Sequence, residues 1–189
     1  MRAWIMACLV SACGFLASQE TLRPLLDFGG PGAADRWQAV NDGVMGGVSK
    51  GRFRITDSAT LEFSGDLSLE NNGGFASVRT RPGKLAIESG DTLVLRVKGD
   101  GRVYLVNLYT TDRRMAFSYR AELPTDAAGW HEIHLPLDSF EPTSFGRSVA
   151  GMGPVDPARI NGLGLMLADK KPGPFRMEVE WVKVLRGGE

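Results

Sequence analysis

The chain has 189 residues, room for one domain of roughly 170 residues behind a short leader, and a body of that size buries about 70% of its unfolded surface. Hydrophobic residues make up 43% of it, which excludes a disordered chain. The 22 basic and 22 acidic residues balance to zero formal charge, which excludes the basic footprint that a nucleic-acid binder needs to neutralise phosphates.

The chain opens with MRAWIMACLVSACGFLASQE, in which Arg2 is the only charge before Glu20. The apolar run from Ala3 to Leu16 is shorter than the ~20 residues that span a bilayer. A positive start, a short apolar run and small residues make residues 1–20 an expected export signal or lipoprotein leader, ahead of a single β-sandwich domain over 21–189. The competing reading is an N-terminal core strand. Both cysteines, Cys8 and Cys13, fall in this leader, so the body has no thiol for a disulfide, a Cys-ligated zinc or a nucleophile. Val10-Ser11-Ala12 ahead of Cys13 resembles a lipobox, which makes Cys13 a lipidation candidate, with simple cleavage a few residues later left open. The expected location is therefore exported, either periplasmic or membrane-anchored as a lipoprotein.

Along the body, apolar residues alternate with polar ones at period two in Leu61–Leu67, Leu93–Lys98, Met115–Leu123 and Phe175–Trp181. Each pattern turns one face to a core and one to water. Val103–Thr110 and Leu163–Ala168 are apolar on both faces, which predicts central strands covered on both sides. Gly51–Thr56, Gly74–Arg81 and Trp130–Leu135 complete about nine strands. Asp100-Gly101 suits a two-residue hairpin, Asn161-Gly162 opens a strand, and Asn71-Asn72-Gly73-Gly74 separates two others. Single helical turns are expected at Leu137–Phe140 and Asp156–Ile160. Many turns, short strands and no alternation of strands with helices predict an all-β antiparallel sandwich of the jelly-roll kind. Glu141–Arg159 is Gly-, Pro- and Ser-rich without periodicity, and reads either as a functional loop or as an ordered crossover.

Two stretches are more specific than a generic sandwich: Trp37-Gln38-Ala39-Val40-Asn41-Asp42-Gly43-Val44-Met45-Gly46-Gly47-Val48-Ser49 and Leu67-Ser68-Leu69-Glu70-Asn71-Asn72-Gly73-Gly74-Phe75-Ala76-Ser77-Val78-Arg79. With Gly99-Asp100-Gly101-Arg102 and Phe145-Gly146-Arg147 they resemble the complex I intermediate-associated protein 30 family, in order from about Asp27 to Leu185. The resemblance implies a galactose-binding-like jelly-roll sandwich. It also implies an assembly-factor or chaperone role, since the family's mitochondrial members help membrane-arm intermediates of respiratory complex I to form.

The residues themselves leave alternatives open. Asn41 and Asp42 either hold a specialised turn that seats Trp37 and Met45 in the core, or form a polar binding surface. Glu70, Asn71 and Asn72 supply oxygens that suit sugar hydroxyls, a hard cation such as calcium, or turn stabilisation. Arg79 shares a strand face with Phe75 and Ser77, where it pairs with Asp42 or Glu70 or clamps a ligand; Arg147, in the long loop, carries the same choice. His131-Glu132-Ile133-His134 is not the helical zinc motif, and on a strand its two histidines point to opposite faces. Trp130, Trp181, Tyr104, Tyr109 and Tyr119 are candidates for a sugar platform, of which the two tryptophans more often belong to a core.

No nucleophile elbow or dinucleotide fingerprint is present, and no cofactor, metal or catalytic residue is assigned. The expected function is a non-catalytic binding and assembly module acting on a membrane or envelope protein complex. Its candidate surface is Asn41, Asp42, Glu70, Asn71, Asn72, Arg79 and Arg147. The expected partner is a membrane-associated protein, not nucleic acid. An exported carbohydrate-binding module is the second reading, on fold analogy, and a hydrolase the third.

Overall fold

The computed structural model describes residues 21–186, positions 113 and 115 excepted. The leader with Cys8 and Cys13, and Met115 at the start of one expected strand, lie outside the described residues. The described chain forms thirteen strands: β1 (Leu22–Leu26), β2 (Trp37–Ala39), β3 (Lys50–Ile55), β4 (Leu61–Leu67), β5 (Ala76–Thr80), β6 (Thr92–Lys98), β7 (Val103–Thr110), β8 (Phe117–Pro124), β9 (His131–Pro136), β10 (Glu141–Ser144), β11 (Arg147–Ser148), β12 (Ile160–Leu167) and β13 (Gly173–Leu185). Its helical pieces are short 3₁₀ turns, including the expected ones at Leu137–Ser139 and Pro157–Arg159. No helix among the described residues is long and apolar enough to cross a membrane.

The strands form two antiparallel sheets. One runs β3-β4-β13-β6-β9, with β1 added on β13; the other runs β11-β10-β8-β7-β12-β5-β2. β13 is long enough to carry β4 along its first half and β1 along its last on one edge, with β6 on the other. The core lies between the sheets. Leu61 and Phe63 of β4, Leu93 and Leu95 of β6, and Met177, Val179, Val182 and Val184 of β13 are buried on one side. Val78, Tyr104, Val106, Leu108, Leu163, Leu165 and Leu167 are buried on the other. Phe63 meets Phe175 edge-on at 4.9 Å and reaches Tyr104 of the facing sheet at 6.1 Å. This is the antiparallel sandwich that the alternation predicts, of the galactose-binding-like kind that the resemblance implies.

β7 and β12 take the central places expected of them, but not the expected cover on both sides: on their outer face Val103 is exposed and Leu105 and Met166 are partly so. Two expectations about a turn and a register change, and one open alternative is settled. Asp100-Gly101 joins no hairpin, because β6 pairs with β13 and β9 whereas β7 lies in the other sheet. The Asp100 carboxylate instead accepts from Tyr104 Oη at 3.0 Å and from the Arg176 N–H at 2.8 Å, which fixes a crossing between sheets. The stretch Glu141–Arg159 is an ordered crossover that contains the edge hairpin β10–β11 and returns through a turn capped by Asp156. In β13 the register shifts between Val179 and Trp181, so the alternation slips and Trp181 leaves the core face. It is half-exposed, with Lys183 Nζ 4.0 Å from its ring centroid.

Candidate docking site

The two glycine-rich turns meet, and Asp42 joins them. Its residue is 0% exposed. One carboxylate oxygen accepts from the Ser49 N–H at 2.9 Å; the other accepts from Ser49 Oγ at 2.6 Å, the Gly74 N–H at 2.7 Å and the Phe75 N–H at 3.3 Å. Ser49 Oγ in turn accepts from the Ser68 N–H at 3.0 Å. Burial alone pushes the Asp42 carboxyl up. The Ser49 hydroxyl and the N–H groups of Gly74, Ser49 and Phe75 outweigh it and hold the carboxyl below its ordinary range.

Each Gly-Gly pair divides two tasks. Gly46 (φ 90°) and Gly74 (φ 126°) supply left-handed backbone. Gly47 and Gly73 supply close approach, since a Cβ at Gly47 would lie 2.3 Å from Asp42 Cγ and one at Gly73 would lie 2.6 Å from Asp42 Oδ2. Asn41 is a second strap: its Nδ2 donates to the Gly51 carbonyl at 2.9 Å, and its Oδ1 accepts from the Ser77 N–H at 3.3 Å.

The polar side chains of this turn, Asn41, Asp42 and Ser49, thus face inward, and its apolar ones, Val44, Met45 and Val48, face out. Val44 is 72% exposed and Met45 54%, and Val48 and Leu69 are also exposed. Trp37 is in the core as expected, but Met45 is not. A four-residue 3₁₀ turn over Asp42–Met45 can bury only one direction, and Asp42 takes it. The result is an apolar tip on two turns locked to each other.

The remaining candidates separate. Glu70, Asn71 and Asn72 form an exposed turn beside the tip, with Asn71 and Asn72 in left-handed backbone at φ 55° and 58°. The two turns do meet, but the four Asp42 contacts come from N–H and O–H donors, the polarity opposite to what calcium would present. Arg79 pairs with neither Asp42 nor Glu70; its guanidinium lies 5.2 Å from the Tyr109 ring centroid. Arg147 is exposed on β11, at the opposite edge of the seven-stranded sheet from β2.

The other groups find local uses. His131 Nε2 sits 2.8 Å from Asp126, beside a surface cavity of about 280 Å³. Tyr104 and Tyr119 are buried, as is Trp37, and Trp130 is half-buried. Sequence reasoning missed the exposed Val44, Met45, Val48 and Leu69. Their signal was four large apolar residues inside turns, where polar ones are usual.

A family model described as complex I intermediate-associated protein 30 matches residues 26–179. The relative named "Complex I intermediate-associated protein 30, mitochondrial" from Drosophila melanogaster is 27% identical over 180 residues, covering 84% of this chain and 61% of the relative. Its counterpart of the same name from Mus musculus is 26% identical over 171 residues, covering 79% and 52%. The chain therefore spans between half and two thirds of the length of these relatives. Among solved structures, a family 11 carbohydrate-binding module from Clostridium thermocellum, in complex with a β-1,3-1,4-mixed-linked tetrasaccharide, superposes with a TM-score of 0.65 at 17% identity, covering 89% of this chain and 97% of the module. An agarase gives a TM-score of 0.61 at 12% identity, over 88% of this chain and 25% of the enzyme. At such identities these likenesses show the fold alone.

The mitochondrial names of the relatives overturn the exported, periplasmic or lipoprotein location expected from residues 1–20. One Arg before a short apolar run carries little information: such a segment is defined by coarse charge and hydropathy, which do not specify the machinery that reads it.

Proposed function

We propose, for a chain that belongs to the complex I intermediate-associated protein 30 family, a non-catalytic role: it docks on subunits of a membrane protein complex while that complex is being assembled. The family match and the names of its relatives support the assembly role. The observation that carries the reading is the apolar tip. Val44 and Met45 stand in water at the head of a turn whose polar groups are all turned inward. Isolated apolar side chains on a surface are ordinary, but four on two mutually locked turns make a preformed patch. A rigid patch binds at lower entropic cost than a loop that must order first.

The test is a crosslinked pull-down of the tagged full-length chain from native membranes, wild type beside Val44→Ser/Met45→Ser. We expect a small, reproducible set of membrane-complex subunits with the wild type, lost with the double variant while its thermal midpoint holds. Equal recovery by the variant would remove the tip from the docking surface. Recovery of no subunit by the folded wild type would end the docking reading.

A further inference from the structure

The ladder registers place Gln38, Arg79, Gly164, Asn107, Arg120 and Glu141 in one row across the seven-stranded sheet, from β2 to β10. The row lies on the face away from the core, because the alternate positions Val78, Leu165, Val106 and Ala121 are the buried core ones. The Cα atoms of Arg79 and Arg120 are three strand spacings apart, about 14 Å at ~4.8 Å each. Both side chains reach across a neighbouring strand toward the middle of the sheet. Arg79 on β5 reaches the ring of Tyr109 on β7, and Arg120 on β8 sends Nη2 to Met166 Sδ on β12 at 3.7 Å. Between them Gly164 leaves a gap that the Tyr109 ring fills; a Cβ there would lie 2.9 Å from ring atom Cε2.

In this row, between the two arginines, lies Asn107, which is 1% exposed. Its Oδ1 accepts from Arg120 Nε at 3.1 Å and from Ser118 Oγ at 3.0 Å. Arg120 has no acceptor, so this contact fixes the amide orientation and leaves Nδ2 as the inward donor. Asn107 Nδ2 is buried and has no hydrogen-bond partner among the described residues, and the same holds for Arg79 Nε. Buried donors are normally satisfied, so orphaned ones need a reason.

Neither Arg79 nor Arg120 forms an ion pair among the described residues. Glu141, at the end of the row, and Glu122 beyond it are exposed. The outer face of the other sheet is organised oppositely, with Arg54 and Arg176 both on Glu62 and Arg96 on Glu132 and Glu180.

Two guanidiniums and an amide N–H₂, all donors and none matched to an acid, suit a planar oxyanion. A sugar platform would need an open aromatic face, and the Tyr109 ring is already covered by Arg79. We propose that Arg79, Asn107 and Arg120 form an oxyanion site that takes a carboxylate presented by the protein partner. The site is argued from its own geometry; the source of the carboxylate rests on the docking reading above. The two sites are linked through the backbone, since Val40, just ahead of the tip, donates its N–H to the carbonyl of Ser77, on the strand of Arg79, at 2.8 Å.

The experiment is an NMR titration of the ¹⁵N-labelled full chain, following the Arg Nε–H and Asn107 side-chain signals at constant ionic strength. The probes are glutarate, inorganic phosphate and a neutral cellotetraose. Glutarate should shift the Arg79, Arg120 and Asn107 signals saturably. Arg79→Gln and Arg120→Gln should each weaken that binding at least tenfold, and Arg79→Lys, which keeps the charge but loses the fork, should weaken it too. Should Arg120→Gln not fold, Arg79→Gln and Arg79→Lys still decide. No saturable glutarate shift overturns the site, as does a response to cellotetraose at the same signals. Phosphate binding tenfold tighter than glutarate overturns the carboxylate assignment. Glutarate binding with an unimpaired pull-down by Arg79→Gln overturns the partner as its source. A wild-type pull-down that succeeds while glutarate fails leaves the docking reading standing and removes this one.

Discussion

Asp42 is fully buried and accepts from four protein donors. Asp42→Asn keeps the shape but turns an N–H₂ toward N–H groups, so we expect a loss of about 3 kcal/mol in urea unfolding at pH 7. The pH dependence has a definite sign. The unfolded carboxyl titrates near 3.9, and the folded one lies lower. Between those values the unfolded chain holds the extra proton, so stability rises with pH. The Asp42 contribution is complete above the unfolded value and is lost as pH falls through the folded one. The deficit of Asp42→Asn relative to wild type should therefore shrink from pH 7 to pH 3; a constant deficit would mean that the charge is not what the site uses. Glycine substitutions give an independent check. Gly73→Ala puts a methyl on Asp42 and should cost about 2 kcal/mol or more, while Gly43→Ala, with nothing within 4 Å, should fall within roughly 0.5 kcal/mol of wild type. The sequence marks Asn41 and Asp42 as special, but not which way they face. Their partners Gly74, Phe75 and Ser77 lie more than thirty residues away, beyond the reach of a local turn reading.

Elements were legible where one face is buried along a full strand. β4, β6 and the first half of β13 stand where the alternation places strands, and β7 and β12 where the runs apolar on both faces place them. β1, β2, β10 and β11 have two to five residues each, too few for a period, and exist because a neighbour's edge is available to them. The Asp100-Gly101 error has the same origin: a turn signal says that the chain reverses, not which sheet it enters. Arg102 shows what holds that crossing. Its guanidinium takes Asp169 by both oxygens, at 3.0 and 2.7 Å, and also donates to the carbonyls of Lys171, Gly173 and Pro174. It thereby ties the β6–β7 crossing to the β12–β13 connection, and both its side chain and that of Asp169 are largely shielded. Lysine offers one charged centre instead of a fork. Arg102→Lys should cost about 2 kcal/mol by urea unfolding, and retention of full stability would show that charge alone suffices there.

At the scale of the molecule, the two outer faces follow different rules. The six-stranded sheet pairs Arg54, Arg96 and Arg176 with glutamates across strands. The seven-stranded sheet carries two arginines in one row with a buried amide, neither in an ion pair among the described residues, and burial pushes the Arg120 guanidinium down. Unpaired like charges with orphaned donors oppose folding, a pattern that natural proteins keep where a site needs it. Removing the cations should therefore be tolerated: the thermal midpoint of Arg79→Gln/Arg120→Gln should not fall below that of the wild type. An oxyanion that binds only the folded chain must stabilise it by RT ln(1 + [L]/Kd), about 1.4 kcal/mol at ten times Kd. For a chain of this size that is roughly 3–5 °C. Glutarate should raise the wild-type midpoint by that amount over sodium chloride of equal ionic strength, and should leave the double variant where it was. An equal rise in both proteins would assign the effect to general ion exclusion from the surface, and the unpaired arginines would then be a cost of the fold that no ligand offsets.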